Sequence, residues 1–340
     1  MPSEIVVKLL HRESTLSQLE VYKQAFNNNT DFESIKEYWE EKHYENPVHS
    51  SYIFGAYDGE KLISINAYMP MQYHLNGKTV NVLQSCESGT LPAYQGKGLW
   101  SKVVKYAINY FLEEGVYDFL IGFPNYNNSY KGFMKMKWQH DIDVINYIFV
   151  VNGKAFLRTV TGKKIPFSRL LEVQKMGLLL PRQYCAVENA SYSESASNCA
   201  FDLDLSDEFF EWKKRYKHLK ILGLEDKKHR SIARCTYALG TYHGERIIIL
   251  YRIDAIEGSN YKRVYLDALK ELIHRHPEVA FIRTWAMPNS EREAIVKKLK
   301  FIKSKHHNPF ITYLLKDNVV SAEELHNNTN WANITFLDLD

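Results

Sequence analysis

Two glycines, Gly96 and Gly98, bracket Lys97 in the stretch Thr90-Leu91-Pro-Ala-Tyr-Gln95-Gly96-Lys97-Gly98-Leu99-Trp100, and that spacing suits the capture of an anion. Without a Cβ the backbone takes positive φ and lies against a ligand, while Lys97 supplies a cation. Directly behind, Val103, Val104, Ala107, Ile108, Phe111 and Leu112 recur as one apolar helix face, and Gly115 follows Glu113 and Glu114 in the place of a C-cap. A helix N-terminus leaves its first N–H groups unpaired and carries the positive end of the helix dipole, so a phosphate fits at this turn. The spacing is neither of the two common nucleotide loops. There is no Gly-x-x-x-x-Gly-Lys-Ser/Thr, and Trp100 and Ser101 stand where a dinucleotide fold wants its third glycine.

The elements that must position this loop are legible on either side of it. Residues 79–86 read as a strand leading into it, and residues 117–123 as a strand following the helix, stopped by Pro124. Strand, loop, helix and strand make a βαβ unit, expected to be right-handed.

With these residues in place, Pro92-Ala-Tyr94-Gln95-Gly96-Lys97-Gly98-Leu99 resembles the acyl-CoA pyrophosphate loop of the GNAT superfamily of N-acetyltransferases, whose pattern is Arg/Gln-x-x-Gly-x-Gly/Ala. Trp100 departs from it, standing where the last small residue usually sits. A second stretch, Phe123-Pro124-Asn125 through Asn128, Ser129, Tyr130 and Phe133 to Lys137-Trp138, resembles the family's Asn-containing loop and closing helix. The resemblance implies that Asn125 and Asn128 serve the pantetheine arm or a bound water. It also implies a tyrosine acid for the leaving thiolate, but that position holds Phe133. Tyr130, one helical turn earlier and on roughly the same face, is the substitute.

Acetyl transfer to an amine needs an acceptor for the amine proton. Glu87 is the candidate base, at the end of the strand leading into the loop, where α/β sheets place chemistry; the plainer alternative pairs it with a surface lysine. The oxyanion would take a backbone N–H from residues 88–91. The CoA-binding set is Thr90, Leu91, Gln95, Gly96, Lys97, Gly98, Leu99, Trp100, Asn125, Asn128 and Phe133.

A chain of 340 residues with 45% apolar content points to a two-domain, cytoplasmic protein. No apolar run approaches the ~20 residues of a membrane span, and the first residues begin no signal peptide. Cys86, Cys185, Cys199 and Cys235 are irregularly spaced and fit neither a disulfide framework nor a zinc site; they read as reduced core thiols, and no metal is expected. The net charge of +3, from 43 basic and 40 acidic residues, argues against a nucleic-acid partner. The clusters Lys213-Lys-Arg215, Lys227-Lys-His-Arg230 and Lys303-Ser-Lys-His-His307 read as solvated faces, and His274, His276, His306 and His307 as surface residues.

The chain also echoes itself. Residues 104–125 and 265–289 each run through a helix and a strand to Pro-Asn, and each continues through a lysine-rich helix to an aromatic, Trp138 and Phe301. The offset of 164 residues, from Pro124 to Pro288, suggests a tandem repeat. The second copy has no glycine loop before its helix and is expected to bind no CoA. The fold class is therefore α/β with a mixed sheet: two tandem GNAT-like domains, the second degenerate. The segments are 1–152 for the catalytic domain, 153–200 for a helical connector and polar, serine-rich linker, 201–318 for the degenerate copy and 319–340 for a tail. Further elements are a strand over 4–10, helices over 16–26 and 32–43, a hairpin turning at Asp58-Gly59 and another at His243-Gly244.

These features predict an N-acyltransferase moving an acetyl group from acetyl-CoA, as co-substrate, to a small-molecule amine. An amino sugar is favoured because the tail, with Trp331 and its acidic terminus, resembles members from bacterial polysaccharide clusters. The alternatives are a FemABX-like aminoacyl transferase and a CoA-binding scaffold without turnover.

Overall fold

The computed structural model describes residues 4–159, 181–188, 201–203, 206–256 and 259–331. Most of the connector and linker expected between the two copies, Cys199 and the tail beyond Trp331 lie outside the described residues. Their described parts are a helix, Gly153–Thr159, and a short strand, Cys185–Val187.

The first half opens with β1 (Ile5–Leu10), α1 (Thr15–Phe26) and α2 (Phe32–Tyr44), followed by an antiparallel meander of β2 (Tyr52–Asp58), β3 (Lys61–Leu75) and β4 (Lys78–Thr90). Asp31 caps α2 by accepting the Ser34 N–H at 2.8 Å, the arrangement that short acidic side chains favour before a helix. Next come α3 (Leu99–Glu114), β5 (Phe119–Gly122), α4 (Tyr130–Lys135), β6 (Gln139–Val150) and α5 (Gly153–Thr159). In α3 the apolar face is buried at Val103, Val104, Ala107, Ile108 and Phe111, and Gly115 closes the helix at φ 63°. Leu112, assigned to the same face, is instead 48% exposed, because it lies at the stripe's edge where the helix rotates away from the sheet.

The second half contains β7 (Cys185–Val187), β8 (Phe201–Leu203), α6 (Asp207–Tyr216), β9 (Lys220–Glu225), β10 (Ser231–Tyr242), β11 (Glu245–Ala255), α7 (Tyr261–Arg275), β12 (Phe281–Ala286), α8 (Glu291–Lys298), β13 (Ile302–Leu314) and α9 (Ala322–His326). His243 and Gly244, at φ 49° and 80°, make the tight turn of the β10–β11 hairpin.

These thirteen strands form one mixed sheet, in the order β1-β2-β3-β4-β5-β13-β6-β12-β11-β10-β9-β7, with β8 on β3. Each half follows the same plan, down to a parallel pair flanking a helix: β4 with β5 around α3, and β11 with β12 around α7. Their last strands are exchanged. β13 pairs with β5 of the first half and β6 pairs with β12 of the second, so each half is completed by a strand from the other. The join is sealed by a shared core in which Met69, Phe119, Phe209, Trp212, Tyr251 and Trp331 pack together. Trp331 stacks on Phe201 at 4.2 Å. Lys213 belongs to this layer: it is fully buried, its ammonium 2.6 Å from the Tyr216 hydroxyl, which corrects its reading as a solvated residue. An amphipathic α6 that packs on α2 leaves only one side to water. Cys235 is buried as expected, whereas Cys185 is exposed on its edge strand.

Candidate active site

The glycine loop lies at the surface, with Gln95, Gly96, Lys97 and Gly98 all exposed. Gly96 and Gly98 take φ of 75° and 72°, and a Cβ on either would meet nothing within 4 Å. Their need for glycine is conformational, and the space in front of them is open to a ligand. Helix α3 starts at Leu99 with no side-chain cap, and its first intrahelical bond runs from the Lys102 N–H to the Gly98 carbonyl. The N–H groups of Leu99, Trp100 and Ser101 therefore precede that bond at the positive end of the dipole. Gln95 donates to the Thr90 carbonyl at 3.1 Å and steadies the loop's entry. Lys97 lies 4.8 Å from the Tyr94 ring centroid. Buried Leu91 and Leu99 anchor the two ends of the turn. An uncapped helix start beside a lysine is a surface whose electrostatics favour an anion.

Trp100 has a physical explanation. Its ring lies over Gly132 of α4, where an added Cβ would come within 2.3 Å of the indole. It also meets Phe133 edge-on at 4.8 Å, and its Nε1 donates to Asn66 Oδ1 at 3.3 Å. The large residue on α3 is thus offset by a missing side chain on α4. Phe133 is buried between Trp100 and Trp138.

Glu87 sits on a bulge. Ile65 pairs with Gly89 but Ala67 pairs with Cys86, so Glu87 and Ser88 together oppose Asn66. At φ 40° Glu87 holds a backbone conformation uncommon for a non-glycine residue, and the bulge turns its carboxylate toward α2. There it pairs with the Lys42 ammonium and lies 3.5 Å from His43 Nε2. Lys42 is 1% exposed, so the partner is no surface lysine. Sequence patterning missed both partners, since charged residues near the end of a helix usually face water. Ser88 donates to Asn66, and the Leu91 N–H is already given to the Ile63 carbonyl at 2.9 Å, which removes Leu91 from the oxyanion donors expected over 88–91.

Beyond β5, Asn125 accepts the Asn127 N–H through its side chain at 2.8 Å, and its carbonyl accepts from the Asn128 and Tyr130 N–H groups. It shapes the turn into α4 and, like Asn128, is exposed. Tyr130 is not a freely wetted hydroxyl. Its oxygen lies 2.9 Å from His140 Nδ1, and His140 Nε2 lies 3.1 Å from Asp143 Oδ1. Tyr126 donates to the same Asp143 oxygen, and His307 of β13 approaches Asp143 Oδ2 at 3.4 Å. Burial, with the Asp143 bond second, pushes the Tyr126 hydroxyl well above the usual tyrosine range. His307 is exposed, as expected of a surface residue, and lies beside this acid. His140 and Asp143 escaped sequence reading because His307 is brought to them only by strand exchange. Among the described residues no group of His, Cys, Asp and Glu could hold a metal ion.

The second half builds the same place differently. Its parallel pairing runs from Ile247–Phe281 to Ile249–Arg283 and then stops. Into that opening Arg292 of α8 donates to the Leu250 carbonyl at 3.2 Å, the Tyr251 carbonyl at 2.7 Å and Thr284 Oγ1 at 2.7 Å. At the repeat offset Arg292 stands where the first half has Asn128. Its helix α7 is capped by its own Asn260, which accepts the Arg263 N–H at 3.1 Å.

Residues 7–138 match the model of the acetyltransferase (GNAT) domain. No curated protein matches the sequence. Among solved structures the chain is similar to a GCN5-related N-acetyltransferase from Anabaena variabilis, at TM-score 0.60 and 10% identity over 92% of this chain and 73% of that one. It is also similar to one from Kribbella flavida, at TM-score 0.55 and 12% identity over 92% and 71%. A third is Saccharomyces cerevisiae N-myristoyltransferase with bound myristoyl-CoA, at TM-score 0.62 and 10% identity over 92% and 83%. The matched residues hold the glycine loop, the bulge carrying Glu87 and the closing helix: residues 7–138 are a GNAT acetyltransferase domain, and the chain as a whole shares the fold of these structures.

Proposed function

We propose that the first half, residues 1–152, transfers an acetyl group from acetyl-CoA to an amine, and that the degenerate second copy, residues 201–318, completes it without binding CoA. The observation that carries this reading is the open, uncapped N-terminus of α3 behind Gly96, Lys97 and Gly98. The phosphates of CoA would lie on Gly96, Lys97, Gly98 and Leu99, with Gln95 and Thr90 bracing the loop and Trp100 and Phe133 supporting it from below. Asn125 and Asn128 would face the pantetheine arm. Glu87, its carboxyl paired with Lys42, would accept the amine proton directly or through a water, and Tyr130 would protonate the departing thiolate. The resemblance of the tail to polysaccharide-associated members favours an amino sugar as acceptor.

The thermal unfolding midpoint with and without acetyl-CoA tests the loop, because ligand at 100 times its dissociation constant adds about 2.7 kcal/mol to the native state. A saturable rise is expected, and no rise at millimolar ligand overturns the reading. Running myristoyl-CoA in parallel separates a short acyl site from a long one. Free-thiol release with amino-sugar acceptors then tests turnover, which Glu87→Gln should reduce by about 100-fold or more.

A further inference from the structure

We propose that His140, held by Asp143, is the positioning residue that aims and reloads the Tyr130 proton, so that Asp143, His140 and Tyr130 act as a relay at the leaving thiolate. The inference rests on the reading of Tyr130 as the acid. Asp143 Oδ1 lies 3.1 Å from His140 Nε2, and His140 Nδ1 lies 2.9 Å from the Tyr130 oxygen. An ionised Asp143 fixes the neutral ring as the Nε2–H tautomer and leaves Nδ1 to accept the Tyr130 O–H, which then points away from any ligand. When His140 is protonated, Nδ1–H donates to the Tyr130 oxygen and the phenolic proton is free to face the sulfur. As the C–S bond breaks, that proton forms the S–H bond, Nδ1 passes its own proton to the Tyr130 oxygen, and His140 ends neutral. It reloads from solvent, balancing the proton the amine gives up.

The register places this relay at the right level. Gly122, the last paired residue of β5, is aligned through Ile311 of β13 with His140. The groups that face the relay come from every neighbouring element: Tyr126 from the loop after β5, Asp143 from β6 and His307 from β13, with Lys303 and Lys305 lining the adjoining cleft. His140 and Asp143 are 28% and 30% exposed, so proton exchange with water is open.

The test needs no acceptor. The thiol of CoA bound to the full chain is titrated by thiolate absorbance, as a difference against protein without CoA. The relay lowers the thiol midpoint below that of free CoA, because thiolate and imidazolium stabilise each other through Tyr130. Tyr130→Phe should return the midpoint to the free value. His140→Gln should raise it by about one pH unit, a tenfold loss of thiolate, with CoA affinity at low pH and the unfolding midpoint unchanged. A shift in Tyr130→Phe without one in His140→Gln overturns the relay and leaves the acid reading standing. No shift in either removes both, and failure of CoA to bind removes the loop reading beneath them. In the unsubstituted protein, 15N shifts of the His140 ring give an independent answer: both nitrogens protonated in the thiolate complex support the relay, and a neutral ring there overturns it.

Discussion

The N-termini of α3 and α7 occupy the same place in the two halves and are finished in opposite ways. In α3 the chain arrives through Gly98 at φ 72° and no side chain caps the helix. In α7 Asn260 accepts the Arg263 N–H and satisfies a donor internally. The strand openings beside them differ in the same sense. The second half's is filled by the buried Arg292 guanidinium, which burial pulls below the usual arginine range and which answers two carbonyls and a threonine hydroxyl. The first half has Asn128 at that repeat position, exposed on its loop. The second half satisfies its own helix end and strand opening with side chains, whereas the first leaves the N–H groups at the start of α3 without a side-chain cap.

The contrast breaks most sharply at Arg292. Arg292→Met leaves buried acceptors unpaired and should cost about 3 kcal/mol in urea unfolding, whereas Asn128→Ala should change stability by less than about 0.5 kcal/mol.

Next is the loop. Gly98→Val forces a β-branched residue to positive φ and should abolish the rise of about 2.7 kcal/mol expected with saturating acetyl-CoA. In the second half Asn260→Ala should cost about 1 kcal/mol of stability and leave that rise intact. Equal loss of the rise in both variants would refute the division of labour.

A smaller effect tests the support beneath the loop. Gly132→Ala drives a methyl into the Trp100 ring, should destabilise by about 2 kcal/mol and should weaken acetyl-CoA binding. The double variant with Trp100→Leu should recover part of the loss, and strict additivity would show that the two residues do not share a contact.

The smallest is a pH dependence at the exchange. Burial of Glu293 opposes ionisation, but hydrogen bonds from Lys297, the Tyr147 hydroxyl and the Asn289 N–H outweigh it and hold its carboxyl below the usual glutamate range. A carboxylate whose folded value is lowered stabilises the fold above its unfolded value near 4.3 and loses that contribution as pH falls through the folded value. Urea midpoints between about pH 6 and 3 should drop less steeply in Glu293→Gln. Tyr147 lies on β6, so the effect reports the strand lent by the first half.

Local signals were legible because they act within a few residues. The glycine loop, the apolar stripe of α3, the Gly115 cap, the His243-Gly244 turn and the echo of Pro124-Asn125 in Pro288-Asn289 each follow from the backbone freedom or side-chain period of neighbouring positions, whereas the first hairpin turns one residue later than Asp58-Gly59, at Gly59-Glu60, because Asp58 still pairs with Lys61. The bulge was not legible: residues 79–86 read as a strand, yet β4 runs on to Thr90 with Glu87 turned sideways inside it. Nor was the partner of Glu87, because Lys42 looks like any solvated lysine until α6 covers α2.

By itself, then, the sequence determined the order of the elements, the positive-φ glycine turn before α3 and the lack of such glycines before the corresponding helix of the second half. Only the tertiary structure decided that β6 and β13 change places, that His307 reaches Asp143, and that Arg292 closes one strand opening. The reason is physical. Strand pairing between residues more than a hundred positions apart is chosen by which edge is free and which apolar face fits, and neither property is written in the period of the strand that joins it.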